Sequence, residues 1–204
     1  MQIRNPDVTK QNILMAAEGE FASYGLFGAR VNAIAERAKA NKRMIYHYYG
    51  SKEGLYETVL EYNFKKVVQL GSPILLTEGD LEEAIRNIIR RYYIFLEENP
   101  NFVKIIAWEE VYSSSQRNKI VFGTLKNAFR QVTEFYKRGC KQGIFTRDVN
   151  LPQLLISTHA MCLTSFTQQE ILLKIDPTNT LEKRLSHICE VVIRAIAEPS
   201  LNYC

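Results

Sequence analysis

The chain has few of the residues that mark disulfide-bonded, zinc-binding or membrane-spanning proteins. Its four cysteines form no C-x-x-C pair and have no zinc-binding spacing to the three histidines. No uninterrupted apolar run approaches the roughly 20 residues that a membrane span needs, and the first ten residues lack the apolar core of a signal peptide. We therefore expect a cytoplasmic protein without metal or cofactor, with buried reduced thiols at Cys162 and Cys189.

Strand-like alternation of polar and apolar residues is also missing. Apolar residues instead recur at helical spacing in almost every segment, separated by breaks rich in glycine, proline and serine. The sequence predicts an all-α protein of about nine helices. Their expected ranges are 9–24, 31–38, 42–48, 51–70, 81–98, 102–112, 116–142, 151–174 and 181–197.

Catalytic motifs are absent as well. The sequence contains no Gly-rich phosphate loop, no G-x-S-x-G elbow and no H-E-x-x-H pair. The adjacent acids Glu97-Glu98 and Glu109-Glu110 point apart on a helix, so solvated or capping carboxylates explain them better than a general acid–base pair. We expect that the protein is not an enzyme.

Positive charge is concentrated in one short window. Residues 30–52 hold six Lys or Arg and a single acid, whereas residues 71–204 hold sixteen bases and fifteen acids. The formal net charge of the whole chain is only +4. A basic N-terminal third joined to a nearly neutral remainder indicates one part that binds nucleic acid and one part with another role.

The same window predicts a helix-turn-helix. A positioning helix over 31–38, a turn over 39–41 and a reading helix over 42–48 have the lengths that this motif needs. Ile45 and Tyr49 are expected to face inward. The residues left toward solvent or DNA are Lys42, Arg43, Met44, Tyr46 and His47. A solvated basic face over aromatic core residues is the alternative, but it explains the charge without the paired helices and the tight turn.

A longer motif surrounds this helix pair. Its residues are Ile13, Leu14, Ala16, Ala17, Phe21, Gly25, Ile34, Ala35, Ala38, Tyr46, Tyr49, Ser51, Lys52 and Leu55. They follow the pattern I-L-x-A-A-x-x-x-F-x-x-x-G and then I-A-x-x-A-G-V-S-x-x-x-x-Y-x-x-F-x-S-K-x-x-L, with Tyr49 in place of Phe. In this order they resemble the N-terminal domain of the tetracycline-repressor (TetR) family of bacterial transcription regulators. The match covers about a quarter of the chain.

The resemblance implies DNA contacts by Arg30, Lys42, Arg43, Met44, Tyr46, His47 and Lys52. Tyr46 and Lys52 are expected to contact phosphates, and Arg43, Met44 and His47 to read bases. Some residues depart from the family pattern. We expect these departures to change which operator sequence the protein prefers, but not its ability to bind DNA. Lys39-Ala40 replaces Gly-Val in the turn, where a residue other than glycine requires a less favourable backbone conformation. Arg43 replaces a small residue, and Arg30 replaces a capping Ser or Thr.

The C-terminal part carries many aromatic residues, namely Tyr92, Tyr93, Phe95, Phe102, Trp108, Tyr112, Phe122 and Phe129. Core packing explains most such residues, yet aromatic-lined gaps between helices also hold small apolar ligands. The resemblance implies an effector site of this kind. The residues predicted to bind the effector are Phe102, Trp108, Glu109, Tyr112, Phe122 and Phe129.

The last two helices are apolar on more than one face, which indicates more than one partner surface. Burial of all these residues within one subunit is the alternative. Members of the family dimerise by pairing these two helices with their symmetry mates, and the resemblance implies a homodimer here. The expected interface residues are Leu155, Thr158, Cys162, Leu185, Ile188 and Val192.

We therefore expect a one-component transcription repressor that an unknown small molecule releases from palindromic double-stranded operator DNA. A helix-turn-helix domain over 1–52 is expected to join a ligand-binding and dimerisation domain over 53–204 through the long fourth helix. One alternative is a regulator of the same fold without a small-molecule effector. The other is a helical carrier or enzyme with incidental basic helices, which a loss of all DNA affinity at low salt would favour.

Overall fold

A computed structural model describes residues 6–76, 79–112, 114–146 and 149–197. Within these ranges the chain forms ten α-helices and no β-strand, so the all-α prediction is confirmed. The helices are α1 (Pro6–Gly28), α2 (Val31–Arg37), α3 (Lys42–Tyr49), α4 (Lys52–Leu75), α5 (Leu81–Glu98), α6 (Pro100–Tyr112), α7 (Ser115–Lys141), α8 (Leu151–Thr167), α9 (Gln169–Ile175) and α10 (Leu181–Ala197). In the described part of the chain, no helix combines the length and apolarity that a bilayer crossing requires.

The structure has one helix more than the sequence predicts, because the segment 151–174 forms two helices instead of one. Gln168 leaves the helical conformation (φ −125°, ψ 25°) and separates α8 from α9. In the last turn of α8, the hydroxyls of Thr164 and Thr167 donate to the carbonyls four residues earlier. Such bonds bend helices, and the sequence offered no glycine or proline to mark the break.

The break expected at residues 71–73 is also wrong, because α4 continues through Pro73 to Leu75. Two tertiary contacts favour the longer helix. Leu75 is buried in an apolar cluster with residues of α5, α7 and α10, and Arg138 donates from Nη2 to the Leu75 carbonyl at 3.3 Å. Burying a leucine contributes about 1.5–3 kcal/mol, which offsets the hydrogen bond lost to proline near a helix end.

The chain divides into two compact units. The first comprises Met1–Lys66 and Asn99–Thr124, and the second comprises Val67–Glu98 and Leu125–Cys204. The first unit therefore contains α6 together with α1, α2 and α3. The functional division between residues 52 and 53 stays a prediction.

The core of the first unit is built on one face of α1. Ile13, Ala17 and Phe21 are fully buried there, four residues apart, so they line one helical stripe. The Phe21 ring meets the Tyr56 ring edge-on with centroids 4.8 Å apart, and Ile105 of α6 closes the same cluster. This core fixes the helices that carry the candidate DNA-binding residues.

The second unit packs α10 against α5 and α8. Its core includes buried Ile193 and Ile196 of α10, and Tyr92 and His159 share a 2.7 Å hydrogen bond. The free thiols of Cys162 and Cys189 are both buried, which confirms that prediction. Burial raises the pKa of Cys162 to about 12, so this thiol stays protonated near neutral pH. Cys204 lies outside the described residues.

Candidate nucleic-acid interface and adjoining cavity

Helix α3 presents the predicted reading face to solvent. The Asn41 side chain caps its N-terminus by accepting the Arg43 backbone N–H at 2.9 Å. Ile45 is fully buried and anchors the opposite face. The exposed side chains are Lys42, Arg43, Tyr46 and His47, while Met44 is half-buried against the core of the first unit.

A lysine of α1 lies beside this reading helix. The Tyr49 hydroxyl donates to the Lys10 carbonyl at 2.9 Å, which ties α3 to α1. The Lys10 ammonium is 5.2 Å from the centre of the Tyr48 ring. Lys10 lies outside the basic window of the sequence, so charge counting alone did not identify it.

A buried carboxylate positions helix α2. Glu20 of α1 is 3% exposed, and its Oε1 accepts the Arg30 backbone N–H at 3.1 Å. Its Oε2 lies 3.6 Å from Arg37 Nη2, in the last turn of α2. Glu20 thus contacts both ends of α2. Sequence reasoning missed it, although an acid three residues after Ala17, on the apolar stripe of α1, was a visible signal.

The turn between α2 and α3 has the strain that its sequence predicts. Lys39 has φ 50°, and among the described residues other than glycine it alone has a positive φ. A residue with a Cβ in this left-handed region loses on the order of 1 kcal/mol relative to its preferred conformations. Glycine, which is common at this position in the family pattern, avoids that loss.

We expect Lys39→Gly to raise the free energy of unfolding by up to about 1 kcal/mol, because glycine adopts positive φ without a steric penalty. Urea denaturation followed by circular dichroism measures it. Lys39→Ala is the matched control, since it removes the same charge and keeps the Cβ. An equal gain in both variants would attribute the effect to charge rather than to backbone conformation.

Lys52 has a structural role besides the phosphate contact predicted for it. Its half-buried ammonium donates to the carbonyls of Phe27 and Ala29, both at 3.3 Å. Phe27 lies in the last turn of α1, and Ala29 lies in the short connection between α1 and α2. An ammonium has three N–H donors, so one donor remains for a DNA phosphate.

The start of α4 is fixed just beyond the reading helix. The Gly54 backbone N–H donates to Ser51 Oγ at 3.0 Å, so Ser51 caps the N-terminus of α4. Gly54 packs directly on the carbonyl of Tyr49, and a Cβ at this position would overlap the Tyr49 oxygen. The close approach requires glycine at position 54 and holds the end of α3 against α4.

A cavity of about 330 Å³ opens in the same unit, between the end of α1 and helix α6. Half of its lining residues are aromatic, and one ion pair is among the rest. The lining residues are Tyr24, Gly25, Leu26, Phe27, Gly28, Tyr56, Trp108, Glu109, Tyr112 and Arg117. Three of the predicted effector-binding residues, Trp108, Glu109 and Tyr112, therefore meet around one space.

The other three predicted effector residues do not line this cavity. Phe102 is buried in the core, with its ring 5.5 Å from that of Phe64. Phe122 and Phe129 of α7 are exposed. Eight aromatic residues in one stretch of sequence suggested one cluster, but the helices distribute them between the two units.

The polar wall of the cavity is a compact network around Glu109. Both oxygens of its carboxylate accept from Arg117 Nε at 3.0 Å, and Oε1 also accepts from the Tyr56 hydroxyl at 2.9 Å. Arg117 Nη2 donates to the Tyr112 carbonyl. Burial, followed by the Glu109 charge, raises the pKa of Tyr56, so its hydroxyl remains a donor. Sequence reasoning missed Tyr56 and Arg117, because their partner lies 53 and 8 residues away.

The apolar wall is shared with a break in α1. Gly25 has φ 63° and ψ −178° and interrupts the helix, close to where the sequence predicted its end. The Trp108 indole packs on this glycine, and a Cβ there would lie 2.9 Å from Trp108 Cδ2. Trp108 Nε1 donates to the Ala22 carbonyl at 3.3 Å, in the last turn before the break.

The six predicted dimer residues differ in how far they are buried within their own subunit. Cys162 and Ile188 are fully buried and Val192 is 5% exposed, so they pack inside their own subunit. The assignment of these residues to a dimer interface stays a prediction. Leu155, Thr158 and Leu185 are half-buried. Among the apolar residues outside the stripes, Ile156 is 59% exposed and Val191 is 37% exposed.

Two protein-family models match this chain, one in its N-terminal part and one in its C-terminal part. The model described as "Bacterial regulatory proteins, tetR family" matches residues 13–59, which include the helix-turn-helix. The model described as "Tetracyclin repressor-like, C-terminal domain" matches residues 82–193. The second match alone spans more than half of the chain.

Individual proteins extend this similarity. The chain is 30% identical to the HTH-type transcriptional repressor NicS of Pseudomonas putida over 167 residues, which cover 79% of this chain and 77% of that protein. It is 31% identical to the HTH-type transcriptional repressor SCO4008 of Streptomyces coelicolor over 161 residues, which cover 79% of this chain and 80% of that protein. The fold matches the transcriptional regulator FadR from Bacillus subtilis in complex with stearoyl-CoA at a TM-score of 0.75 and 16% identity, covering 91% and 98% of the two chains.

Proposed function

Since the chain belongs to the TetR family of bacterial regulatory proteins, we propose that it is a transcriptional repressor that binds an inverted-repeat operator as a homodimer. The observation that carries the proposal is the exposed basic face of α3 in a complete helix-turn-helix. A repressor of this kind acts in the cytoplasm and has no catalytic step.

Residues of α3 and of the adjoining helix ends have different roles in DNA recognition. Arg43 and His47 lie four residues apart on the exposed face, so both reach into one groove. Arg43 can donate to guanine O6 and N7, and His47 to an acceptor on a base edge. Tyr46, Lys52 and Arg30 contact the flanking phosphates, which set register without reading sequence. Lys42 adds positive charge at the start of the same helix.

Selection from random duplex DNA tests this assignment. Wild-type protein is expected to enrich an inverted repeat, because a two-fold dimer presents two identical reading helices. Arg43→Ala is expected to weaken binding to that site by about 1–3 kcal/mol per lost base contact and to relax selection at one position of each half-site. Competition gel shifts with single-base variants of the site measure both effects.

Lys65→Ala provides the matched control. Lys65 is an exposed cation of α4 that pairs with Glu61 at 2.7 Å, away from the reading helix. Its loss is expected to leave base preference unchanged. If Arg43→Ala weakened binding to all duplexes equally, Arg43 would be a phosphate contact, and the assigned reading face would be wrong.

We also propose that the cavity beside Trp108 holds the small-molecule effector. Its volume lies at the lower end of the range for ligand sites, and aromatic walls with a few polar groups are typical of them. The space suits a small ring-containing compound rather than a long chain. FadR from Bacillus subtilis, which has the same fold, was crystallised with stearoyl-CoA.

The homodimer would pair α8 and α10 with the same helices of a second subunit. The exposed apolar residues Ile156 and Val191 supply the contact, and Ala160 and Ala195 are exposed small residues on the same two helices. Small residues allow close approach of helix backbones. Cys162, Ile188 and Val192, which are buried on the same two helices, support this surface from inside the subunit.

A further inference from the structure

The cavity borders the segment that leads to the DNA-reading helices, and its inferred effect on them rests on the proposed function. The end of α1 after Gly25 is a short segment, 26–29, that leads directly into α2. Two backbone carbonyls of this segment, those of Phe27 and Ala29, accept hydrogen bonds from the Lys52 ammonium. Whatever fixes this segment therefore also fixes Lys52 at the DNA-binding surface.

Trp108 fixes the segment from the other side. The carbonyls in the last turn of a helix lack intrahelical partners, and the indole N–H satisfies one of them at Ala22. The indole ring lies against Gly25, where the added Cβ of any other residue would come within 3.2 Å of three ring atoms. The ring also forms part of the cavity wall. One side chain thus contacts both the cavity and the break in α1.

We propose that Trp108 is a latch: its indole holds the Gly25 break in the DNA-binding conformation, and a molecule in the cavity releases operator DNA by displacing the indole. Docking of the indole and binding of operator stabilise the same conformation. By linkage, operator must then favour the docked indole by the same factor with which the docked indole favours operator. Trp108 is a positioning residue, since it acts on DNA through Gly25 and Lys52.

Acrylamide quenching of fluorescence tests the latch without any knowledge of the effector. Trp108 is the single tryptophan of the 204-residue chain, so all tryptophan emission comes from the latch. The operator is the inverted repeat selected by wild-type protein from random duplex DNA. Saturating operator is expected to lower the quenching constant about twofold, and a scrambled duplex of equal length, at concentrations that bind non-specifically, is expected to leave it unchanged.

Gly25→Ala tests the same latch from the side of α1. The added Cβ displaces the indole and also strains a backbone with φ 63°. We expect operator affinity to fall at least tenfold and the quenching constant to become insensitive to operator. Gly123→Ala is the matched control, because its Cβ meets nothing within 4 Å on an exposed part of α7. Its affinity and quenching are expected to match wild type.

A third variant keeps the proposal testable even if Gly25→Ala fails to fold. Trp108→Phe keeps an aromatic ring and removes the N–H that binds Ala22, and it is expected to weaken operator binding about threefold to tenfold. If operator left wild-type quenching unchanged, or if both Gly25→Ala and Trp108→Phe bound operator with wild-type affinity, the latch would be overturned while the repressor assignment stood. If wild-type protein selected no DNA site at all, the proposed function would fail, and the latch with it.

Discussion

Arg117→Met is expected to lower the free energy of unfolding by about 3–5 kcal/mol, because it leaves a mostly buried carboxylate without its cation. The side chains of Arg117 and Glu109 are 10% and 13% exposed, and Arg117 Nε bonds to both carboxylate oxygens. Methionine fills a similar volume, so the loss reports charge and hydrogen bonds rather than a cavity. Urea denaturation followed by Trp108 fluorescence measures the stability of the unit that contains the pair.

Two further variants separate the charge effect from general damage to α7. The double variant Arg117→Met with Glu109→Gln removes the uncompensated charge and is expected to regain most of the lost stability. Arg130→Met makes the same substitution at an exposed position of α7 and is expected to change stability by less than about 0.5 kcal/mol. If Arg117→Met lowered the free energy of unfolding by less than about 1 kcal/mol, water would solvate Glu109 adequately, and the ion pair would contribute little to stability.

Val191→Asp is expected to convert the proposed homodimer to monomers and to lower operator affinity more than 100-fold. Val191 is exposed on α10, so a carboxylate there is solvated in the monomer but must be desolvated opposite its symmetry mate in the dimer. One reading helix contacts only a few base pairs, so tight specific binding requires both subunits. Sedimentation at micromolar concentration measures assembly, and gel shifts measure affinity.

Val111→Asp is the matched control for this experiment. Val111 is 71% exposed on α6, in the first unit. It is expected to sediment as wild type. Ile188→Asp would be a poor test, because Ile188 is fully buried and a charge there would unfold the subunit. A Val191→Asp variant that remained dimeric would remove α10 from the interface.

The helix-turn-helix was predictable because local sequence determines it. The ends of α2 and α3, the Asn41 and Ser51 caps and the strained Lys39 are all set by residues within a few positions. Their signals are therefore visible without any knowledge of tertiary contacts. The same holds for the glycine break of α1, although α1 resumes after Gly25 for three more residues.

The cavity was only half predictable, because its polar wall depends on residues distant in sequence. Trp108 and Tyr112 were identifiable as aromatic residues on one helix face. Tyr56 was not, since nothing local marks a tyrosine of α4 as the donor to Glu109. For the last two helices, periodicity marks an apolar stripe on each, but it does not distinguish a face buried within a subunit from one buried between subunits.

The discontinuity of the first unit constrains when a newly made chain can become a DNA-binding protein. The bond between Trp108 and Ala22 joins residues 86 positions apart, and Ile105 completes the apolar cluster around α1. A ribosome that has synthesised α1 to α4 has therefore not yet made all of the residues that pack around the reading helix. Domains generally fold as units during synthesis, so we expect the unit that carries the reading helix to complete its folding only after α6 has been made. Fragments that end before residue 99 lack the α6 residues of this unit.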